Sequence, residues 1–197
     1  MKKIVLSTLL AGLMFSPVML SAAETGNSKS DLYVGLDVGK NSNTFTVDTG
    51  SASGDIDIDS KYLKLKFGTV SESGWRLQGY FSSEKYDEPL FDNTHDRLNE
   101  LGVDVIKGFA ITPKFSPFIQ VGLGYGWMNV DGYDTSSLKE FNLKAGAGLM
   151  YSITDMFEVL AGIDFQAKRW SDISNGSTTA TITETSRKFY IGTNFHF

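Results

Sequence analysis

Apolar and polar residues alternate with a period of two along most of this chain, and the alternation falls into eight segments. They run Leu32–Gly39, Tyr62–Thr69, Trp75–Ser82, Glu100–Phe109, Phe118–Trp127, Phe141–Tyr151, Phe157–Lys168 and Lys188–Phe197. In the first, Leu32, Val34, Leu36 and Val38 share one parity; in the last, Phe189, Ile191, Thr193, Phe195 and Phe197 do. Successive strand side chains point to opposite faces, so each set forms one apolar face. A helical period of 3.6 does not emerge in any segment, so the pattern predicts eight β-strands. Several approach the 9–11 residues of a tilted membrane-crossing strand.

The connections alternate too. Ser71–Gly74, Ala110–Pro117 and Ser152–Met156 are short, whereas Asn41–Lys61, Ser83–Asn99, Asn129–Glu140 and Ser171–Arg187 are longer and polar. Short turns on one side and long loops on the other is the layout of transmembrane barrels. An even strand number then brings both ends of the domain to the short-turn side. Aromatic residues gather near the predicted strand ends. Phe67, Trp75, Phe109, Tyr151, Phe157 and Phe197 lie towards the short turns, and Phe81, Trp127, Phe141 and Phe189 towards the long loops. Interfacial girdles would need them there.

The contents of the two faces separate a membrane barrel from a soluble one. The apolar parity carries one charged residue, Lys107, near a short turn. The opposite parity carries eleven: Asp37, Lys64, Lys66, Arg76, Glu100, Asp104, Lys144, Glu158, Asp164, Lys168 and Lys188. It also holds many glycines, among them Gly122, Gly124, Gly126, Gly146 and Gly148. An outward face so rich in Gly would weaken the strands of a soluble barrel with no packing return. Inside a narrow barrel, Gly leaves room for long side chains from neighbouring strands. The apolar face is therefore assigned to lipid and the charged face to the lumen. Eight strands enclose an interior that side chains can fill, and buried charges must be paired. Arg76, Lys64, Lys66 and Lys144 are accordingly expected within salt-bridge reach of Glu100, Asp104, Glu158 or Asp164.

Composition narrows the picture further. The 197 residues include no Cys, four Pro and 41% apolar residues. A disulfide framework and a Cys-ligated metal are excluded, and the composition argues against a disordered chain. The mean hydropathy is −0.12, and beyond the N-terminus no apolar run is long enough for a helical span. At the start, Lys2 and Lys3 precede a short apolar core from Ile4 to Phe15, and Ser21-Ala22-Ala23 supplies small residues. This reads as a secretory signal peptide, residues 1–23, cleaved after Ala23, with the barrel domain over residues 24–197. Cleavage would make a chain of net charge −5 more acidic still, which argues against a nucleic-acid partner.

The stretch Phe189–Phe197 resembles the C-terminal assembly signal of bacterial outer-membrane β-barrels, carried by Phe189, Ile191, Phe195 and the final Phe197, with Thr193 where such signals more often place an apolar residue. With the signal peptide and the eight segments, residues Asp31 to Phe197 resemble the small eight-stranded outer-membrane barrels, such as the transmembrane domain of outer membrane protein A and the outer membrane protein X type. The resemblance implies an all-β, eight-stranded antiparallel up-and-down transmembrane β-barrel in the cell outer membrane of a Gram-negative bacterium, with both mature termini periplasmic. It further implies a monomer surrounded by outer-membrane lipid and lipopolysaccharide, assembled by periplasmic chaperones and the barrel-assembly machinery. The expected role is structural or surface-interacting, through long acidic extracellular loops and with a lumen closed by charged side chains. A small-solute channel is the alternative; a soluble periplasmic ligand-binding β-barrel is a third possibility.

Catalytic chemistry finds little support. The histidines are His95, in a predicted loop, and His196, beside the end of the last strand, and neither falls in a Ser-His-Asp order. Outer-membrane lipid A deacylases of eight strands use a His and Ser pair, but no His-x-Ser occurs. Gly122-x-Gly124-x-Gly126 is not followed by a helix and so is no phosphate loop. Asp55, Asp57 and Asp59 have calcium-loop spacing, but Ser60 and Lys66 stand where the loop's Gly and Glu belong. They are a weak metal candidate beside the reading of a solvated hairpin rim. No enzyme activity and no cofactor are expected.

Overall fold

The computed structural model describes residues 31–50, 52–92, 94–131, 135–175 and 178–197. The predicted signal peptide and its cleavage position lie outside the described residues. The strands are β1 (Asp31–Asp48), β2 (Ser53–Val70), β3 (Trp75–Tyr86), β4 (Arg97–Gly108), β5 (Phe115–Asn129), β6 (Ser137–Ser152), β7 (Phe157–Trp170), β8 (Ile173–Asn175) and β9 (Thr178–His196). Neighbours pair antiparallel in the order β1 to β7 and then β9, and β9 pairs back onto β1. The result is a closed barrel of eight strands, with β8 a short ribbon on the side of β9. Closure removes the free edges an open sheet would leave.

The register fixes the tilt. From Arg97 on β4, cross-strand partners run through Lys85, Lys61, Lys40, Phe189, Ile163, Ala147 and Ile119, and return to β4 at Lys107. One circuit therefore slips the register from position 97 to 107. In a barrel of this size that stagger goes with strands inclined by about 35–45° to the axis. Phe189 to Phe197 on β9 then supply an apolar outer band about 20–25 Å tall, near the height of a transmembrane barrel's belt.

The outer surface of that band is hydrocarbon: Leu36, Leu65, Val121, Leu143, Phe165 and Ile191 are all exposed, the last at 64%. The inner surface is buried and largely polar. That is the reverse of a water-soluble barrel. Lys107 follows the expectation for a lone charge at the belt's edge. Its Nζ donates to the carbonyl of Ser73 in the adjoining turn and lies 5.2 Å from the Trp75 ring centroid. Gly74, at φ +81°, makes that turn possible.

The long connections differ from expectation. β1 and β2 continue as a regular hairpin up to Asp48 and Ser53, so Asn41–Lys61 is mostly strand. β9 begins at Thr178 rather than Lys188. Above the belt the outward positions turn polar (Ser42, Thr44 and Thr46; Asp55, Asp57 and Asp59; Thr183 and Thr185), while apolar side chains move to the inward parity. Phe45, Tyr86, Leu98, Met128, Leu138, Trp170 and Ile182 face inward and form one buried cluster. The apolar parity inverts where water replaces lipid outside, and segments defined by a single apolar face stop at that inversion.

Candidate functional site

Three layers fill the lumen. The first is the apolar cap at the long-loop end. Phe45 lies edge-on to Tyr86, with ring centroids 5.7 Å apart, and Phe91 of the β3–β4 loop packs on Trp170 at 5.2 Å. The loop side chains Leu90 and Phe91 pack against the cluster.

The second layer is a charge network beneath the cap. Lys168 Nζ lies 2.7 Å from Glu184 and 3.4 Å from Glu84, and Lys188 Nζ lies 3.0 Å from Glu84. Asn41 and Ser60 donate to Glu84 at 2.5 and 2.6 Å, and the Trp170 indole N–H donates to Glu184 at 3.0 Å. Glu84 and Glu184, like the neighbouring Glu140, were not among the expected charges. They sit just past the limits drawn from the outer face, and continuing the inward parity by a few residues would have included them.

The third layer carries most of the expected residues. Arg76 forms a two-pronged pair with Glu158 at 2.7 and 2.8 Å, to which Asn194 adds a bond of 2.7 Å. Lys144 lies 2.7 Å from Asp104, though the two are poorly aligned for a hydrogen bond. Lys66 pairs with Asp37 rather than with any of the four acids expected of it. Glu100 accepts from the Tyr80 hydroxyl at 2.5 Å, and Asp164 accepts from Gln120. Lys64 departs from expectation. Among the described residues it makes no ion pair and instead lies between the rings of Tyr80, Tyr190 and Tyr62, at 4.8, 5.8 and 6.0 Å from their centroids. Tyrosine faces attract a buried cation through the ring quadrupole, and composition alone does not say which lysine will meet rings rather than carboxylates.

The inward glycines make this filling possible. A Cβ at Gly102 would fall on the Tyr80 ring, one at Gly148 on Phe118 and one at Gly162 on Tyr190. Apolar side chains, among them Ile106, Phe118, Met150 and Leu160, pack together in the lower lumen. The cavity beside Asp37, Lys66, Arg76 and Gln78 measures about 10 Å³, at the lower limit for one water. A larger hollow of about 520 Å³ lies on the lipid-facing side over Ala161, Gly192 and Thr193, where side chains are small.

Six buried basic side chains face eight buried acidic ones among the described residues: Lys64, Lys66, Arg76, Lys144, Lys168 and Lys188 against Asp37, Glu84, Glu100, Asp104, Glu140, Glu158, Asp164 and Glu184. The near balance suits a network in which most, though not all, of these charges are paired. His196 lies at its edge, 3.9 Å from Glu158.

Two acidic sets lie outside the lumen. Asp55 and Asp57 stand on a regular strand and accept from Thr46 and Thr44 at 2.7 Å. In the loops, Asp92, His95 and Asp131 bring ligand-type atoms within 4.8 Å of one another. The Asp92 carboxylate is already occupied there. It accepts the backbone N–H groups of Thr94, His95 and Asp131 at 2.7, 2.6 and 2.7 Å and faces His95 Nδ1 at 2.8 Å. Burial works against its ionisation, yet these donors hold the carboxyl well below the usual range.

Comparison with known proteins agrees with the geometry. The family described as outer membrane protein beta-barrel domain matches residues 8–197. No curated protein matches the chain. Among solved structures, the chain is similar to Neisserial surface protein A, at 14% identity and TM-score 0.56, covering 86% of this chain and 99% of that one. It is also similar to the outer membrane protein OprG from Pseudomonas aeruginosa, at 12% identity and TM-score 0.55, covering 87% and 99%. The outer membrane protein AlkL, at 11% identity and TM-score 0.53, covers 88% and 93%. At these identities the likeness carries the fold.

Proposed function

Because the chain belongs to the outer membrane protein beta-barrel domain family, we propose that it is a closed, non-conducting barrel that anchors its strand extensions and loops at the cell surface for a structural or surface-interacting role. The observation that supports this most directly is the stacking of an apolar cap, a charge network and a tyrosine-lined lower layer along one lumen, with about 10 Å³ of space at the lower pairs. The short turns and both mature termini face the periplasm, Glu24 is the mature N-terminus, and the protein acts as a monomer. Phe189, Ile191, Phe195 and Phe197 on β9 serve as the signal read by the assembly machinery.

Planar-bilayer recording of the refolded mature protein tests the closed lumen. Silence is the expected result, and stable unitary conductance would promote the small-solute channel. Surface labelling of a cysteine placed at Gly50 in whole cells tests the orientation. Labelling only after the outer membrane is breached would reverse it.

A further inference from the structure

One row of cross-strand partners holds four cations side by side. Lys40 on β1 faces Lys61 on β2, Lys61 faces Lys85 on β3, and Lys85 faces Arg97 on β4. All four point outward and are exposed. Like charges directly opposite one another destabilise a sheet, so the row is unfavourable unless anions meet it. Two carboxylates do so in part: Asp87 lies 3.6 Å from Lys61 and Asp96 lies 3.4 Å from Lys85, all on solvent-exposed or half-exposed side chains. Among the described residues, Lys40 and Arg97, at the two ends, have no ion pair.

The position of the row says what kind of anion fits. Its lower end adjoins Phe189 on β9, the next partner in register. Val38 and Leu63, two residues below Lys40 and above Lys61 in the sequence, face lipid. The row then climbs away from the apolar belt by about 3 Å per strand, given a strand spacing of about 4.8 Å and the tilt of the barrel. It crosses the headgroup layer as a slanted ladder of positive charge about 14 Å long. A soluble anion has no reason to sit against the hydrocarbon edge, and one phosphate spans only one step. The remaining outward cations of this rim are separated. Lys139 faces Trp127, Arg169 faces Phe141 and Thr183, and Arg187 faces Phe165 and Ser42.

We propose that Lys40, Lys61, Lys85 and Arg97 form a binding site for an outer-leaflet lipid whose headgroup carries more than one phosphate, with its acyl chains against Val38 and Leu63. The site rests on the orientation proposed above, with the long loops outside. The phosphates replace the missing counter-charges, Arg97 offers them paired donors, and the β1–β4 wall becomes the side on which such a lipid is held.

The test uses the full mature protein refolded in neutral maltoside micelles, alone or doped with a diphosphorylated glucosamine glycolipid, the same lipid without phosphates, or inorganic phosphate. The unfolding midpoint is read by gel mobility and lipid retention by native mass spectrometry. In neutral micelles Lys61→Gln/Lys85→Gln should unfold at a higher midpoint than wild type, since the repulsion is relieved. With the diphosphorylated lipid the order should reverse, and lipid retention should fall by about fivefold per charge removed. Lys139→Gln/Arg187→Gln, which changes charge by the same amount elsewhere on the rim, should retain the lipid as wild type does. Equal loss in that control, or equal stabilisation by the dephosphorylated lipid or by inorganic phosphate, would overturn the site. The whole-cell labelling at Gly50 separately detects a reversed orientation, so failure of the site and failure of the orientation are told apart.

Discussion

At the scale of single residues, the Arg76–Glu158 pair is the sharpest feature of the lumen. Both side chains are buried, and Glu158 also accepts from Asn194. Removing one partner of such a pair strands a buried charge and costs about 3–5 kcal/mol. Glu158→Ala should therefore lower the unfolding free energy of the refolded barrel by that amount, as read from a denaturant titration. A double replacement, Arg76→Met with Glu158→Leu, should recover most of it, because the stranded charge is gone. A single variant as stable as wild type would show that water already reaches the pair.

His95 gives a second test at this scale. Its hydrogen bond to Asp92 favours the protonated ring and raises its pKa above the ordinary value. A raised folded pKa means that the contact stabilises the loop fully below the ordinary histidine value of about 6.5 and loses that contribution as pH rises through the folded pKa. Histidine resonances followed by NMR should place His95 above that value, and Asp92→Asn should bring it back. Amide protection in the β3–β4 loop should fall over the same interval.

At the scale of elements, β9 closes the barrel. It pairs with β7 on one side and β1 on the other, and the seam ends where Phe197 N–H donates to Leu32 O at 2.9 Å and Leu32 N–H donates to Phe197 O at 3.3 Å. Phe197 is 63% exposed, with its ring on the lipid-facing parity. Deleting Phe197 removes this last pair of bonds and the aromatic anchor together. Recovery of heat-modifiable barrel from outer membranes should drop, with unfolded chain left in the periplasm; an unchanged yield would show that the residue does not direct assembly. Elements are also where the sequence was most legible. Every barrel strand overlaps one of the eight alternating segments, because strand parity is a local property that lipid enforces residue by residue. What was missed follows from the same rule. The upper parts of β1, β2 and β9 keep the period but exchange faces, with Val38 outward and Phe45 inward on one strand. A reading that looks for one continuous apolar face ends there, and Glu84, Glu140 and Glu184 were lost with it.

At the scale of the whole molecule, the proposed closure of the lumen rests on layers in series. The cap of Phe45, Tyr86 and Trp170, the Glu84–Lys168–Glu184 network and the layer around Lys64, Tyr80 and Lys144 lie one above another. Barriers in series predict that neither Arg76→Ala nor Trp170→Ala alone turns the barrel into a pore in planar bilayers. Stable unitary conductance from either single variant would show that the remaining layers do not seal. The sequence by itself determined the number of barrel strands, the lipid-facing side of each and the side chains offered to the lumen within the apolar belt, because alternation along one strand needs no knowledge of any other. Tertiary structure alone decided who meets whom. Arg76 and Glu158 are 82 residues apart, and Lys188 and Glu84 are 104 apart. The slip from Arg97 to Lys107 on closing the circuit sets which strands stand level across the lumen. The same register aligns Lys40, Lys61, Lys85 and Arg97 on the outside, a row that no local pattern contains because each member belongs to a different strand.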